Sequence, residues 1–242
     1  MNHLAICFFG QVKNYNNLLY KLFTKHITDS LSQKYIIDYF IVTYNNSYYF
    51  RPSTKENHPI DYKSINKYFI FTQKVILDTN CESIKNLDTW VEKTLSKCGY
   101  TKDWGNESEL LTKHGIRQLY GLKKIYEILS SLNTSYAKYL FCRPDCLFEK
   151  PLDNQILSTK YNICIPNFNH WNGYNDRFAI LDTQGLKTYC SRYDHLIVNP
   201  QTYHSEKYLK YTIDNSYNTL KLFDNFKFRL LRSNNKLSPI DY

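Results

Sequence analysis

Short apolar runs, each closed by Gly, Pro or Asn, recur along the chain and alternate with stretches of helical spacing. Leu4-Ala-Ile-Cys-Phe-Phe9 stops at Gly10, Ile36-Ile-Asp-Tyr-Phe-Ile-Val-Thr43 runs into Tyr44-Asn-Asn-Ser47, and Tyr139-Leu-Phe-Cys142 stops at Arg143-Pro144. Runs of this kind, rich in β-branched and aromatic residues, predict buried strands. Further strands are expected within Phe69 to Leu77, best defined at Lys74-Val-Ile-Leu-Asp78, at Tyr161-Asn-Ile-Cys-Ile-Pro166 and at Phe226-Lys-Phe-Arg-Leu-Leu231. Between them, Leu18, Leu19, Leu22 and Phe23 predict a helix capped by Asn16 or Asn17. Ile116, Leu119, Leu122, Ile125 and Leu129 predict a long helix from His114 to Leu132. Shorter helices are expected around Leu87 to Leu95, from Thr183 to Tyr193 and from His204 to Ile213. Residues Asn45 to Asn66, polar and holding Pro52 and Pro59, read as a long loop, and such loops in compact domains are commonly functional. Asn234 to Tyr242 are expected to fray. The alternation gives an α/β class.

Composition narrows the class without naming a function. The 242 residues suffice for one large α/β domain or two small ones, and 43% hydrophobic residues supply a core without staples. The formal net charge of +9 favours anionic ligands such as nucleotides, phosphosugars or nucleic acid. The basic residues are scattered, with no run of the kind that marks a nucleic-acid arm. Seven cysteines with no CxxC pair predict a reduced, intracellular protein. Cys142 and Cys146 lack the second pair or His cluster that a structural zinc site requires. No apolar stretch approaches membrane-spanning length, and the amino terminus has no leader pattern, so a soluble, cytoplasmic protein is expected.

Three stretches carry candidate chemistry. Strand, Gly10, Gln11 and Lys13 followed by a helix start form an entry point where a backbone approaches an anion closely and a cation awaits it. Arg143 and Asp145 flank Pro144 at a strand end, offering a phosphate partner and a metal ligand at one point of a ligand crevice. The polar-aromatic segment from Asn167 to Ile180 holds His170, Trp171, Asn175 and Asp176, side chains suited to stacking on a sugar ring and bonding its hydroxyls. Asp176 also reads as a helix cap before Arg177-Phe-Ala-Ile, and Glu206 as an acid of a first helical turn. His114 and Gln118 share one face of the long helix, and a solvated face is the expectation there.

The order of these segments, Gly10-Gln-x-Lys-x-Tyr15, Ile37-Asp-Tyr-Phe-Ile41, Arg143-Pro-Asp145 and Gly173-Tyr-Asn-Asp-Arg-Phe-Ala179, resembles a family of nucleotide-sugar-dependent glycosyltransferases of the GT-A fold. Uncharacterised members from large viruses and microbes are among those it is similar to. The resemblance implies a single domain with a mostly parallel Rossmann-type sheet flanked by helices. It also implies a nucleotide-sugar half over about residues 1–150 and an acceptor half over about 151–242. It implies a UDP- or GDP-sugar donor, a glycan or other hydroxyl acceptor, and Mn²⁺ or Mg²⁺ on Asp145. The family's metal motif is Asp-x-Asp, and here Arg143 replaces the first carboxylate. Gly10, Gln11, Lys13 and Arg143 then fall to the diphosphate, with Arg143 and Lys13 as a cationic clamp should no metal bind. Asp176, or else Glu206, falls to the base of an inverting transfer, and His170, Trp171 and Asn175 to the acceptor. A nucleic-acid binder and an inactive sugar- or nucleotide-binding module on the same fold are the alternatives.

Overall fold

Alternation along the first strand divides the hydrophobic core in two. In the computed structural model, which describes residues 1–238, β1 (Asn2–Phe9) is buried on both faces from Leu4 onward. Leu4, Ile6 and Phe8 pack into one core, and Ala5, Cys7 and Phe9 into the other. A strand with no solvated face belongs at the centre of a sheet covered by helices on both sides. β2 (Tyr35–Tyr44), β5 (Gln73–Leu77), β6 (Tyr136–Cys142), β8 (Ile163–Pro166), β9 (Phe178–Leu181) and β10 (Leu220–Phe223) complete a seven-stranded sheet in the order β10-β8-β9-β6-β1-β2-β5. All neighbours are parallel except β9, which runs antiparallel to both β6 and β8. The fold is a mixed α/β domain with a mostly parallel sheet.

One face is covered by α5 (Ser108–Ser130), whose Ile116, Leu119, Leu122, Ile125 and Leu129 form its buried stripe. The same core receives α6 (Thr183–Cys190), α7 (Arg192–Val198) and α8 (Ser205–Asp214). The other face is covered by α1 (Asn17–Phe23), capped by the Asn16 side chain bonding Leu19 N–H at 3.1 Å. It continues through a wide turn into α2 (Asp29–Leu31). Aromatic rings fill the space beneath: Phe23, Phe69, Phe148, Phe178, Phe226 and Phe228 form a chain of edge-to-face and tilted contacts.

Several expectations are corrected by packing. The expected loop from Asn45 to Asn66 contains a hairpin of β3 (Tyr48–Arg51) and β4 (Glu56–Pro59), its turn closed by Lys55 in the left-handed region. The helix expected near Leu87 begins earlier, as α3 (Glu82–Trp90), and ends in α4 (Ser96–Cys98). The long helix α5 begins six residues before His114, at Ser108. Phe178 to Leu181 form a strand, so Asp176 caps no helix; the cap of α6 is Asp182, which accepts from Gly185 N–H at 2.8 Å. A two-stranded sheet of β7 (Cys146–Phe148) and β11 (Phe228–Leu230) sits beside the main one. Of the terminal stretch expected to fray, residues 239–242 lie outside the described residues, while Leu237 bridges back to Leu231.

Candidate active site

In an open α/β sheet, the crevice forms beyond the carboxyl ends of the strands, where successive crossovers turn in opposite directions. Here that point lies between β1 and β6: the chain leaves β1 toward β2 and β5, then returns to place β6 on the other side. Gly10 follows β1 and takes φ +88°, a left-handed conformation that a side chain resists. Arg143 follows β6. Because β9 is antiparallel, its beginning meets the end of β6, with Cys142 opposite Phe178 and Arg143 N–H bonding Arg177 C=O at 3.0 Å. One reversed strand thus sets Asp176 and Arg177 beside Arg143 and Gly10.

A cavity of about 560 Å³ opens at this point. Its lining holds six Lys and Arg side chains, Lys13, Arg51, Arg117, Arg143, Arg177 and Arg232, against the three carboxylates Asp103, Asp176 and Glu206. Each cation is held by a carboxylate. Lys13 lies 3.6 Å from the fully buried Glu56 and 3.6 Å above the Tyr49 ring. Arg232 approaches the same Glu56 at 4.0 Å, and Ser233 N–H donates to it at 2.8 Å. Arg143 donates twice to Asp145, at 2.9 and 2.6 Å. Arg51 pairs with Glu107 at 3.5 Å, Arg117 with Asp88 through two bonds, and Arg177 with Glu206 at 3.0 Å.

Electrostatics set several groups of the lining apart. Burial, with Arg117, Lys13 and Arg51 nearby, lowers the pKa of His114 to about 4, so this imidazole is neutral at physiological pH. Burial also lowers the pKa of Arg232, and the repulsion of Arg51 and Arg143 adds to it. In the same lining, burial first and the Asp176 carboxylate second raise the pKa of Glu206 to about 7, against the opposing pull of Arg177. Its oxygens are held by Arg177 and by the Ser205 hydroxyl at 2.6 Å. Asp176 accepts from the Gln118 amide at 3.4 Å. A carboxyl that titrates near neutrality in a cleft suits general acid–base work.

The sequence candidates divide between the cavity wall and the layer behind it. Gly10, Gln11, Lys13, Arg143, Trp171, Asp176 and Glu206 all line the cavity. Trp171 is half exposed and takes φ +48°, unusual for a bulky residue. His114 and Gln118, expected to be solvated, also line it, one turn apart on α5. His170 and Asn175 do not reach the cavity. His170 bonds Asn167 at 3.0 Å and accepts from Asn175 N–H at 3.2 Å, while Asn175 is buried and bonds Phe168 C=O and Arg177 N–H. They shape the loop that carries Trp171 and Asp176. Sequence reasoning missed Arg51, Arg117, Arg177 and Arg232, and with them the buried Glu56. Arg177 adjoins a chosen residue, and Arg51 lies in the loop singled out for its length; for Arg232, beyond the last expected strand, the sequence holds no signal.

Asp145 also lies behind the wall. It is buried, and both oxygens are taken by Arg143. Burial alone would raise its pKa, yet Arg143, with Lys13 and Arg232 farther away, holds it below the ordinary carboxylate value. Among the described residues, no group of three or more His, Cys, Asp or Glu side chains is placed to hold a metal ion. The donor set around Asp145 does not fit a divalent cation.

No family model matches the chain, and no curated protein matches it. Among solved structures, the apo form of mouse xyloside xylosyltransferase 1 is similar at 10% sequence identity and a TM-score of 0.41, over 92% of this chain and 85% of that one. No described helix is long and apolar enough to cross a membrane.

Proposed function

We propose that the chain is a glycosyltransferase that moves a sugar from a nucleoside-diphosphate donor, a UDP- or GDP-sugar, to the hydroxyl of a glycan or similar acceptor. The observation that carries this reading is one cavity, beyond the carboxyl ends of the parallel strands, whose lining brings six cations together with the Asp176–Glu206 pair. A nucleoside diphosphate leaves readily only if its developing negative charge meets fixed positive charge, which Lys13, Arg143 and their neighbours supply. An acceptor hydroxyl attacks readily only if a base takes its proton.

The transfer is read as a single inverting displacement. The acceptor oxygen forms a bond to the anomeric carbon as its proton passes to a carboxylate. The bond from that carbon to the phosphate oxygen breaks, and its electron pair leaves with the nucleoside diphosphate. Between the two candidate bases, Glu206 takes precedence over Asp176, because its raised pKa matches the task. After burial, which raises that pKa most, Asp176, next to Arg177 in the chain and near Arg143, is the charge that raises it further. Trp171 offers a half-exposed ring on which an acceptor sugar stacks.

The test is a screen of UDP- and GDP-sugars for donor hydrolysis, followed by NMR of the anomeric linkage formed from the donor that turns over. Turnover with inversion is expected. No turnover with any donor leaves a binding module, and a retained anomer ends the single-displacement mechanism.

A further inference from the structure

Two buried carboxylates without an exposed face stand directly behind the cations of the cavity. Glu56 is fully buried and lies between Lys13 and Arg232, which come from opposite ends of the chain. Asp145 is bound bidentately by Arg143. For Asp145 to ligate a divalent ion, it would have to release the guanidinium. That would leave the half-buried Arg143 guanidinium without its carboxylate and bring a second positive charge against it, a costly exchange for a pair whose carboxylate is buried. Arginine held from behind in this way keeps its remaining N–H donors aimed forward, in the planar fork that suits phosphate. The positive charges are also crowded: the depressed pKa of Arg232, due to burial and then to Arg51 and Arg143, is the sign of a cluster that an anion would relieve.

We propose that the diphosphate of the ligand is bound by a clamp of fixed cations, Lys13, Arg51, Arg143 and Arg232, with no divalent ion between them, and that Asp145 is the positioning residue of Arg143. This rests on the reading of the cavity as a donor site and specifies how the site holds its charge. Glu56 braces the clamp by joining the turn after β1, the β3–β4 hairpin and the segment after β11. Preorganised cations then do electrostatically what a metal ion does in other phosphate sites.

Calorimetric titration of the whole chain with inorganic pyrophosphate, and separately with UDP and GDP, each in EDTA and in Mg²⁺ or Mn²⁺, tests this. The expected result is pyrophosphate binding in EDTA, with an affinity within about threefold of that in metal. Arg232→Gln should weaken it by about 10- to 100-fold in both conditions, the scale of one charge-assisted hydrogen-bond set. Asp145→Asn should weaken binding equally with and without metal; the ratio of the two affinities is a readout that loss of packing alone does not move. If metal raises the affinity tenfold or more, and Asp145→Asn removes that gain, Asp145 is a metal ligand and the clamp is overturned while the donor reading stands. Absence of pyrophosphate binding in EDTA overturns it too. Pyrophosphate binding in EDTA without competition from UDP or GDP upholds the clamp and ends the donor reading. Should Asp145→Asn fail to fold, the unaltered chain and Arg232→Gln still decide.

Discussion

Glu206 has to carry a negative charge in a place that penalises one. Burial and the neighbouring Asp176 raise its pKa to about 7, while Arg177 and the Ser205 hydroxyl oppose the rise. The consequence for stability has a definite sign. A carboxyl whose pKa is higher folded than unfolded binds more protons in the folded state between the two values, so stability falls as pH rises through that window. Its contribution is complete below the ordinary carboxylate pKa and is lost as pH climbs through about 7. Activity moves the opposite way, because the base works only when deprotonated: kcat/KM should climb through the same pH range. Glu206→Gln therefore has two expected effects. It lowers kcat by about a hundred- to ten-thousandfold, the usual worth of a general base, with nucleotide affinity nearly unchanged. It also removes the share of the Tm decline between pH 5 and about 7.5 that belongs to this group, leaving a variant more stable than the parent at the alkaline end. Rate profiles and thermal unfolding across pH measure both. A variant that keeps full activity passes the role to Asp176 or to another group.

The elements show why some of the site was legible and some was not. β1, β2 and β6 are fully buried at their carboxyl ends, so their runs of apolar residues stand out, and the residues that follow them, Gly10 and Arg143, were visible as site candidates. β7 and β10 have only three or four residues each, too few for periodicity to register; β11 falls within the strand expected at Phe226 to Leu231, but Arg232 lies just beyond that run. The β3–β4 hairpin was hidden because Pro52 lies in its turn, Pro59 ends its second strand, and that strand, Glu56-Asn-His-Pro59, is otherwise polar. Burial behind the wall was equally invisible: nothing in the letters of Arg143-Pro-Asp145 separates a metal ligand from a carboxylate that holds an arginine. The loop before β9 was legible by composition alone, and its geometry depends on one glycine. A Cβ on Gly173 would lie 2.1 Å from the backbone carbon and oxygen of Glu206, where Tyr174 N–H bonds that same carbonyl at 3.0 Å. Gly173→Ala should force the Trp171–Asp176 loop away from the start of α8. The expected cost is about 1–3 kcal/mol of stability, together with a large loss of kcat. Gly185→Ala, with a Cβ 2.1 Å from Asn162 C=O and outside the cavity lining, is the control. It should cost comparable stability and spare turnover per folded molecule. Equal losses of turnover in the two variants would detach the loop from catalysis.

At the scale of the whole molecule, cations are paired with acids in the cavity as on the surface, but several of the cavity's partners, Glu56 and Asp145 among them, are buried behind the lining, so that the cations face the ligand. The net charge is +9. Yet many surface lysines, among them Lys113, Lys123, Lys124, Lys207 and Lys210, are paired with acids on the same or a neighbouring helix. The six cations of the lining outnumber the carboxylates of that lining two to one and come from six separate parts of the chain, so only the folded molecule assembles them. That distribution separates a small polyanionic ligand from a nucleic acid. A polymer that tracks a basic surface neutralises many charges, and its affinity falls steeply with salt, by a slope of about −0.7 per neutralised phosphate for a single strand. A diphosphate enclosed in a cavity meets fixed charges in a low dielectric, is screened less, and shows a shallow slope. UDP or GDP should therefore raise the Tm, and the rise should persist at physiological salt. At a concentration a hundredfold above Kd the stabilisation is about 2.7 kcal/mol, or a shift of roughly 5–10 °C for a chain of this size. A single-stranded oligonucleotide should bind weakly at that salt and be displaced by pyrophosphate. Thermal unfolding with each ligand over a series of salt concentrations supplies both slopes. If the oligonucleotide gives the larger shift and the steeper slope, and nucleoside diphosphates give none, the cavity is not a donor site and the positive charge serves a nucleic acid.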